Sequence, residues 1–195
     1  MKKIEGVWFA VALDEESEKI YATNFGRNEK TVLQGLEKSL PKHMQRRKLE
    51  KTRAIAERMF TSLMNIYEGK EASDSFNLAA EHLSPYTQKV IRVTSLIPLG
   101  YATSYATVAK TAGGSPRAVG RVMAFNPFPP IVPCHRVVSS NLGLVGYGGG
   151  LDAKHALLER ERKGYTRDEE ISVDGKKLKV FPVEFVLRKL SKGKR

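Results

Sequence analysis

The sequence predicts a mixed α/β protein in two parts, an α/β unit over residues 1–80 and a mainly α unit over residues 81–195. Runs rich in β-branched and aromatic residues precede helical patterns in the first part. The second part contains mostly helical patterns bounded by proline and glycine. A chain of 195 residues is long enough for two small domains with their own cores.

The first part begins with two runs of strand character. The predicted elements are strands over 4–13 and 18–25, helices over 28–39 and 44–68, and a short strand around 76–78. An acidic turn at 14–17 joins the two strands and indicates a hairpin. Pro41 separates the two helices, whose apolar residues recur at helical spacing. This part contains no evident chemistry.

The second part alternates short helices with strong turn signals. The predicted elements are helices over 84–97, 104–111, 116–125 and 152–163, two β-like runs around a turn at 173–176, and an amphipathic segment over 183–190. Two short helices joined by a glycine turn at 113–116 are typical of a helix-turn-helix. The proline-rich stretch 126–130 blocks helix and sheet, so we expect a stiff loop there.

Composition narrows the range of partners. The formal net charge of +12 favours a polyanionic partner, with nucleic acid ranked before an anionic membrane surface. No apolar stretch is long enough to span a bilayer, so no transmembrane segment is expected, and no membrane is among the expected partners. The single cysteine excludes an internal disulfide framework and a multi-cysteine zinc module. It fits a reducing compartment, the cytoplasm or, in a eukaryote, the nucleus.

That single cysteine, Cys134, lies between a proline and His135 in a short apolar run. A free thiol has a pKa near 8.5, so chemistry on sulfur requires a base or a positive charge nearby. Adjacent side chains of an extended chain point apart, so His135 is expected to act through a bridging water. Glu159 or Glu161, at the end of the 152–163 helix, is the candidate that orients His135. The alternative is that Cys134 is simply a small buried apolar residue.

Several motifs together carry a family resemblance. The segment PCHRVV at 133–138, with RAVG at 117–120 and NP at 126–127 before it and GYGGG at 146–150 after it, resembles the O6-alkylguanine-DNA alkyltransferases. These methylated-DNA–protein-cysteine methyltransferases repair DNA. The resemblance extends from about residue 84 to residue 164. It implies a ribonuclease-H-like N-terminal domain and a C-terminal domain with a helix-turn-helix of the winged-helix-like type.

The resemblance implies a reaction in which the protein is consumed. Cys134 would take an alkyl group irreversibly from O6 of guanine, after the damaged base has been flipped out of the duplex. O4-alkylthymine is a second candidate adduct. His135 would act through water as the base, and Glu161 would orient it, because its spacing from Cys134 matches the family pattern.

Further roles follow from the same resemblance. Asn126 would brace the loop before the cysteine, and Tyr105 would help to rotate the nucleotide and donate a proton to the departing guanine. Arg117 would fill the space left by the extruded base. The other expected DNA contacts are Thr87, Ala118, Ser140 and Arg136, and the expected pocket residues are Met123, Val145, Tyr147, Gly148 and Gly149. The active site is thereby expected within residues 104–164, with 165–195 as an additional tail.

The chain departs from the family pattern at Gly148, where a serine is common, and we therefore expect a roomier, less polar pocket that accepts bulky adducts such as benzyl. The expected partner is double-stranded DNA carrying O6-alkylguanine, bound by a monomer without metal or cofactor.

Three alternative functions remain: a non-catalytic damage-binding protein, a regulator whose cysteine senses alkylation, and a cysteine hydrolase. Glu161 could also form a helix-surface ion pair with Lys154 or Arg162.

Overall fold

The computed structural model describes residues 1–14, 16–42, 54–72 and 75–192. The elements are β1 (Lys2–Ile4), β2 (Val7–Leu13), β3 (Ile20–Gly26), α1 (Glu29–Lys38), α2 (Ala54–Tyr67), α3 (Pro85–Ser95), β4 (Tyr101–Ser104), α4 (Tyr105–Ala112), α5 (Pro116–Ala124), a 3-10 helix (Cys134–Arg136), β5 (Val137–Val138), α6 (Leu151–Arg160), β6 (Glu169–Val173), β7 (Lys176–Pro182) and α7 (Val183–Lys192). Residues 44–53 of the predicted helix over 44–68 lie outside the described ranges.

The first sheet is antiparallel, in the order β1-β2-β3. The predicted hairpin is confirmed by the pairing of β2 with β3. The expected single run over 4–13 is instead two strands, because Glu5 and Gly6 adopt φ of 47° and 81° and turn the chain. Phe9 is fully buried beneath α2. The short strand expected around 76–78 is reduced to one parallel bridge, between Ile20 and Leu78.

Serine caps begin the three helices that surround the site. The side chains of Ser84, Ser104 and Ser115 accept backbone N–H groups at the starts of α3, α4 and α5. Each cap satisfies a donor that the helix itself leaves unpaired, and such a cap stabilises a protein by about 1 kcal/mol. The predicted short helices α4 and α5 are confirmed. Gly114 between them has φ of 87°, and a Cβ there would lie 2.6 Å from Tyr86 Oη, so the turn requires glycine.

A second sheet has the order β5-β4-β7-β6. β4 pairs in parallel with β5, which directly follows the cysteine turn, and antiparallel with β7 from the tail. Leu178 and Val180 of β7 are fully buried in one cluster with Val108 of α4 and Val137 of β5. The segment 165–192 is therefore part of the core of this unit. The described helices include none that is both long and apolar enough to cross a membrane.

The proline-rich loop between α5 and the cysteine is fixed at both ends. Thr23 of β3 donates its backbone N–H to Pro127 O at 2.9 Å, and its hydroxyl donates to Pro129 O at 2.9 Å. Phe128 is fully buried against Ile91 and Val132. The expected stiff loop is thus confirmed, and the first sheet holds it in place.

The position of β7 leads to a stability prediction. Leu178→Ala is expected to lower the free energy of unfolding by about 2–5 kcal/mol, because it leaves a cavity in the core that β7 shares with α4 and β5. Ser172→Ala, at an exposed position of the adjacent strand, should change it by less than about 0.5 kcal/mol. Urea unfolding measures both values, and equal small effects would show that the tail does not belong to the core.

Candidate active site

Cys134 begins the 3-10 helix that follows Pro133, and its side chain is largely buried, with 6% of the residue exposed. The extended conformation expected at this position is wrong, because Arg136 N–H donates to Pro133 O at 2.9 Å and closes a tight turn. Successive side chains of such a turn point about 120° apart. The side chains of Cys134 and of the two residues after it therefore point in different directions.

His135 and Arg136 both reach one carboxylate. His135 Nε2 lies 2.7 Å from Glu161 Oε1, and Arg136 donates Nε to Oε2 and Nη2 to Oε1, each at 2.9 Å. Glu161 directly follows α6 and is fully buried. Burial alone would raise the pKa of Glu161, but His135 and Arg136 lower it to about 2. The carboxylate is therefore ionised at neutral pH.

The ionised carboxylate determines the tautomer of His135. Because a carboxylate only accepts hydrogen bonds, Nε2 carries the proton and Nδ1 presents its lone pair. Nδ1 is buried and has no hydrogen-bond partner within the described ranges. Burial lowers the pKa of His135 even though Glu161 raises it, so the ring is neutral. A neutral imidazole with a free lone pair is suited to accept a proton.

Two expectations about this cluster are wrong. Arg136 was expected to contact DNA, but it is 8% exposed, and its guanidinium donates to Glu161 and, from Nη1, to Ile97 O at 2.6 Å. Its geometry serves to hold Glu161. The alternative helix-surface ion pair of Glu161 is excluded by its burial. Glu159, the other acidic candidate, is half-buried, and its Oε2 lies 3.5 Å from Nη1 of Arg162.

The thiol itself is neutral at rest. Burial raises the pKa of Cys134, although the Asn126 side chain and Lys154 lower it in part. Asn126 also braces the loop before the cysteine: its Nδ2 donates to Val132 O at 2.9 Å, and its Oδ1 accepts Phe128 N–H at 3.0 Å. The sulfur therefore needs a base to become a nucleophile.

Lys154 is a further residue of the site, beyond those that the sequence predicts there. It is fully buried on α6, and its Nζ donates to Val137 O at 2.6 Å and to Val145 O at 3.1 Å. The same ammonium lies 5.6 Å from the ring centre of Tyr105 and 5.9 Å from that of Tyr147. Burial lowers the pKa of Lys154 to about 8, and Cys134 opposes the shift.

The spacing of Lys154 carried a signal. It shares one face of the helical pattern with three residues that are all buried: Leu157, Leu158 and Glu161. A lysine at such a position has its charge directed into the protein and requires acceptors there. The backbone carbonyls of Val137 and Val145 are those acceptors, and no sequence pattern indicates them.

A cavity of about 620 Å³ lies between α5 and the loop that follows β5. Its lining residues are Tyr105, Ala106, Pro116, Gly120, Ala124, Ser139, Ser140, Val145, Gly146, Tyr147 and Gly148. Of the expected pocket residues, Met123 and Gly149 do not line it, and Met123 is buried in the core with Cys134. Burial raises the pKa of Tyr105 to about 12, so its hydroxyl remains a donor, 3.4 Å from Val145 O.

The residues expected to contact DNA differ in their exposure to solvent. Arg117 is exposed on α5 beside the cavity residue Pro116, and Ser140 is exposed and lines the cavity. Ala118 and Thr87 are half-buried, and the Thr87 hydroxyl lies 2.8 Å from that of Ser84 at the start of α3. The described ranges contain no group of three or more His, Cys, Asp or Glu side chains placed to hold a metal ion.

Known proteins resemble this chain over the same region. Residues 85–163 match the family described as "6-O-methylguanine DNA methyltransferase, DNA binding domain". The methylated-DNA–protein-cysteine methyltransferase of Methanothermobacter thermautotrophicus is 46% identical over 76 residues, which is 39% of this chain and 43% of that protein. The one from Methanocaldococcus jannaschii is 48% identical over 77 residues, 40% of this chain and 46% of that protein. The matched stretch thus spans less than half the length of these curated relatives.

Solved structures agree over more of the chain. The O6-methylguanine-DNA methyltransferase of Pyrococcus kodakaraensis is 28% identical with a TM-score of 0.64, covering 83% of this chain and 95% of that one. The Mycobacterium tuberculosis protein solved in complex with DNA is 25% identical with a TM-score of 0.58, covering 78% and 86%. The mixed α/β fold therefore matches known structures. The segment 85–163, which contains Cys134, His135 and Glu161, is therefore the part of the chain that is similar to the DNA-binding domain of this family.

Proposed function

We propose that this protein repairs DNA by transferring the alkyl group of O6-alkylguanine to Sγ of Cys134, once per molecule. The observation that carries the proposal is a buried thiol followed directly in the chain by a neutral imidazole that an ionised carboxylate orients. This arrangement lies in the segment that matches the methyltransferase family. The proposed partner is double-stranded DNA, bound by a monomer in the cytoplasm, or in the nucleus of a eukaryote, and the positive net charge supports a nucleic-acid partner.

The finer description of the fold is part of the same proposal. We assign a winged-helix-like arrangement to the second unit, supported by the β6–β7 hairpin that follows the helical pair α4–α5. A ribonuclease-H-like N-terminal domain is supported by the antiparallel order β1-β2-β3 with helices packed on it. The boundary between the units is proposed near residue 80.

The chemistry begins with the thiol proton. His135 Nδ1 takes this proton through a water molecule, and ionised Glu161 stabilises the imidazolium that forms. The thiolate then attacks the alkyl carbon; the carbon–sulfur bond forms as the bond to O6 breaks. The electron pair goes to guanine, which takes a proton from the Tyr105 hydroxyl, and the thiol proton held by His135 returns to Tyr105 through water, so that one proton moves from sulfur to guanine overall. The resulting thioether has no good leaving group, so Cys134 is not regenerated.

The cavity is the proposed site for the flipped base. Its volume of about 620 Å³ is within the range of small-molecule sites. The alkylated oxygen of a stacked guanine cannot reach a buried sulfur, so flipping is required. Arg117 would fill the space in the stack. A Cβ at Gly148 would meet nothing within 4 Å, which supports a pocket with room for bulky adducts.

Stoichiometry distinguishes the proposed reaction from its alternatives. Excess duplex containing O6-methylguanine should add one methyl group per protein molecule, on Cys134, and the reaction should then stop. Cys134→Ala should abolish transfer while duplex binding persists. Intact-mass analysis counts the methyl groups per protein molecule, and peptide-mass analysis identifies the residue that carries them. Repeated turnover would instead indicate a hydrolase, and binding by the wild type without transfer would indicate a damage sensor.

Glu161 leads to a pH-dependent stability prediction. Its pKa in the folded protein is about 2, below the ordinary value of 4.5, so its ionised form stabilises the fold above about pH 4.5 and this contribution decreases toward pH 2. Glu161→Gln should therefore lower the free energy of unfolding by about 3 kcal/mol at pH 6, and the difference from wild type should shrink as pH falls. Urea unfolding between pH 6 and 2.5 measures this, with Glu159→Gln as the control. A difference that does not vary with pH would contradict it.

Lys154 is proposed to hold the pocket in shape. Lys154→Met retains a long side chain but removes the ammonium that donates to Val137 O, and it removes the shorter of the two hydrogen bonds that Val145 O accepts, leaving the one from Tyr105 Oη. Because an unsatisfied buried carbonyl costs about 1–3 kcal/mol, the segments that carry Val137 and Val145 should shift and deform the pocket, and the rate of transfer from free O6-benzylguanine should fall by about tenfold or more. The variant should also lose any rate change near pH 8, where Lys154 titrates. Lys89→Met, at an exposed position of α3, is the control, and equal rates for both variants would refute the role.

A further inference from the structure

Two adjacent rows of residues follow α5, and the second row ends at Phe125, the residue directly after the helix. Pro116, Gly120 and Ala124 are spaced four residues apart and line the cavity. One position further along the chain, Arg117, Arg121 and Phe125 repeat the same spacing, and all three are exposed. This second set is named the arginine–phenylalanine row, and each of its members directly follows a cavity-lining residue of the first row.

Phe125 is 79% exposed, more than any other large apolar residue in the described ranges. Its position is nevertheless fixed. Its N–H donates to Val122 O at 3.1 Å, and the next residue, Asn126, is buried and hydrogen-bonded within the clamped loop. A single exposed apolar side chain carries no inference by itself. Here the ring stands at the end of a row that also carries two cations beside a cavity.

The charges of the row favour one kind of partner. Neither Arg117 nor Arg121 forms an ion pair with a carboxylate in the part of the chain that the structure describes. Two free guanidinium groups would repel the same row of a second copy, whereas they match the phosphates of a duplex. An aromatic or aliphatic side chain next to such cations is typical of proteins that bind the minor groove.

We propose that Phe125 packs against the sugars of the minor groove at a distance from the flipped nucleotide. Arg121 contacts a phosphate that lies between the flipped nucleotide and the sugars that Phe125 contacts. This inference rests on the proposed function, since it assumes that the cavity accepts a base from duplex DNA. Eight residues of helix span about 12 Å, so Phe125 would contact the duplex roughly three to four base pairs from the position of Arg117. Phe125 would thus determine the affinity of the protein for duplex DNA rather than the rate at which the Cys134 thiol takes up the alkyl group.

The test compares two substrates and three variants. The rate of transfer to Cys134 is measured with free O6-benzylguanine and with a duplex containing O6-methylguanine. For Phe125→Ala, the ratio of the duplex rate to the free-base rate should fall by about tenfold, as expected for the loss of roughly 50–60 Å² of apolar contact. Leu33→Ala, an exposed apolar position on α1, should leave this ratio at the wild-type value.

The salt dependence of duplex binding separates the two members of the row. Arg121→Ala should reduce the slope of log affinity against log salt by about one, because one phosphate contact is lost. Phe125→Ala should weaken binding with the slope unchanged. A wild-type protein that is not alkylated by either substrate would refute the proposed function. Normal alkylation with an unaltered Phe125→Ala ratio, or an effect of this variant only on self-association in sedimentation, would refute the contact.

Discussion

The site depends on one buried carboxylate. Glu161 is fully enclosed and is shared between the imidazole of His135 and the guanidinium of Arg136. A buried charge costs several kcal/mol unless it is paired and hydrogen-bonded. The three groups can therefore be buried only as a set, and the set fixes both the charge of Glu161 and the orientation of the imidazole.

The same carboxylate connects segments that are far apart in the chain. Glu161 follows α6, the two residues it holds belong to the cysteine turn, and Arg136 extends the network to the carbonyl of Ile97 after α3. From the other side, Thr23 holds the proline-rich loop that leads to the turn. Cys134 is thus positioned from both directions along the chain by groups that do not touch the sulfur, as a reactive group requires.

Local patterns predicted some of these features and not others. The helices that begin with serine caps follow from those caps and from apolar spacing, and His135 is identified because it directly follows Cys134 in the sequence. The strands β4 and β5 have four and two residues, too few to show an alternating pattern. The family resemblance places Arg136 among the DNA contacts, whereas the structure buries it. Its burial depends on a carboxylate 25 residues away, which only the tertiary fold reveals.

The order β5-β4-β7-β6 has a consequence for the growing chain on the ribosome. The cysteine turn and β4 are synthesised well before β7, the strand that covers the other edge of β4. Until β7 arrives, the apolar side chains that it buries remain open to water, and the second core cannot close. A nascent chain that already contains every residue from Cys134 to Glu161 therefore still lacks the strand that completes its sheet, and the second unit can close its core only when that hairpin has left the exit tunnel.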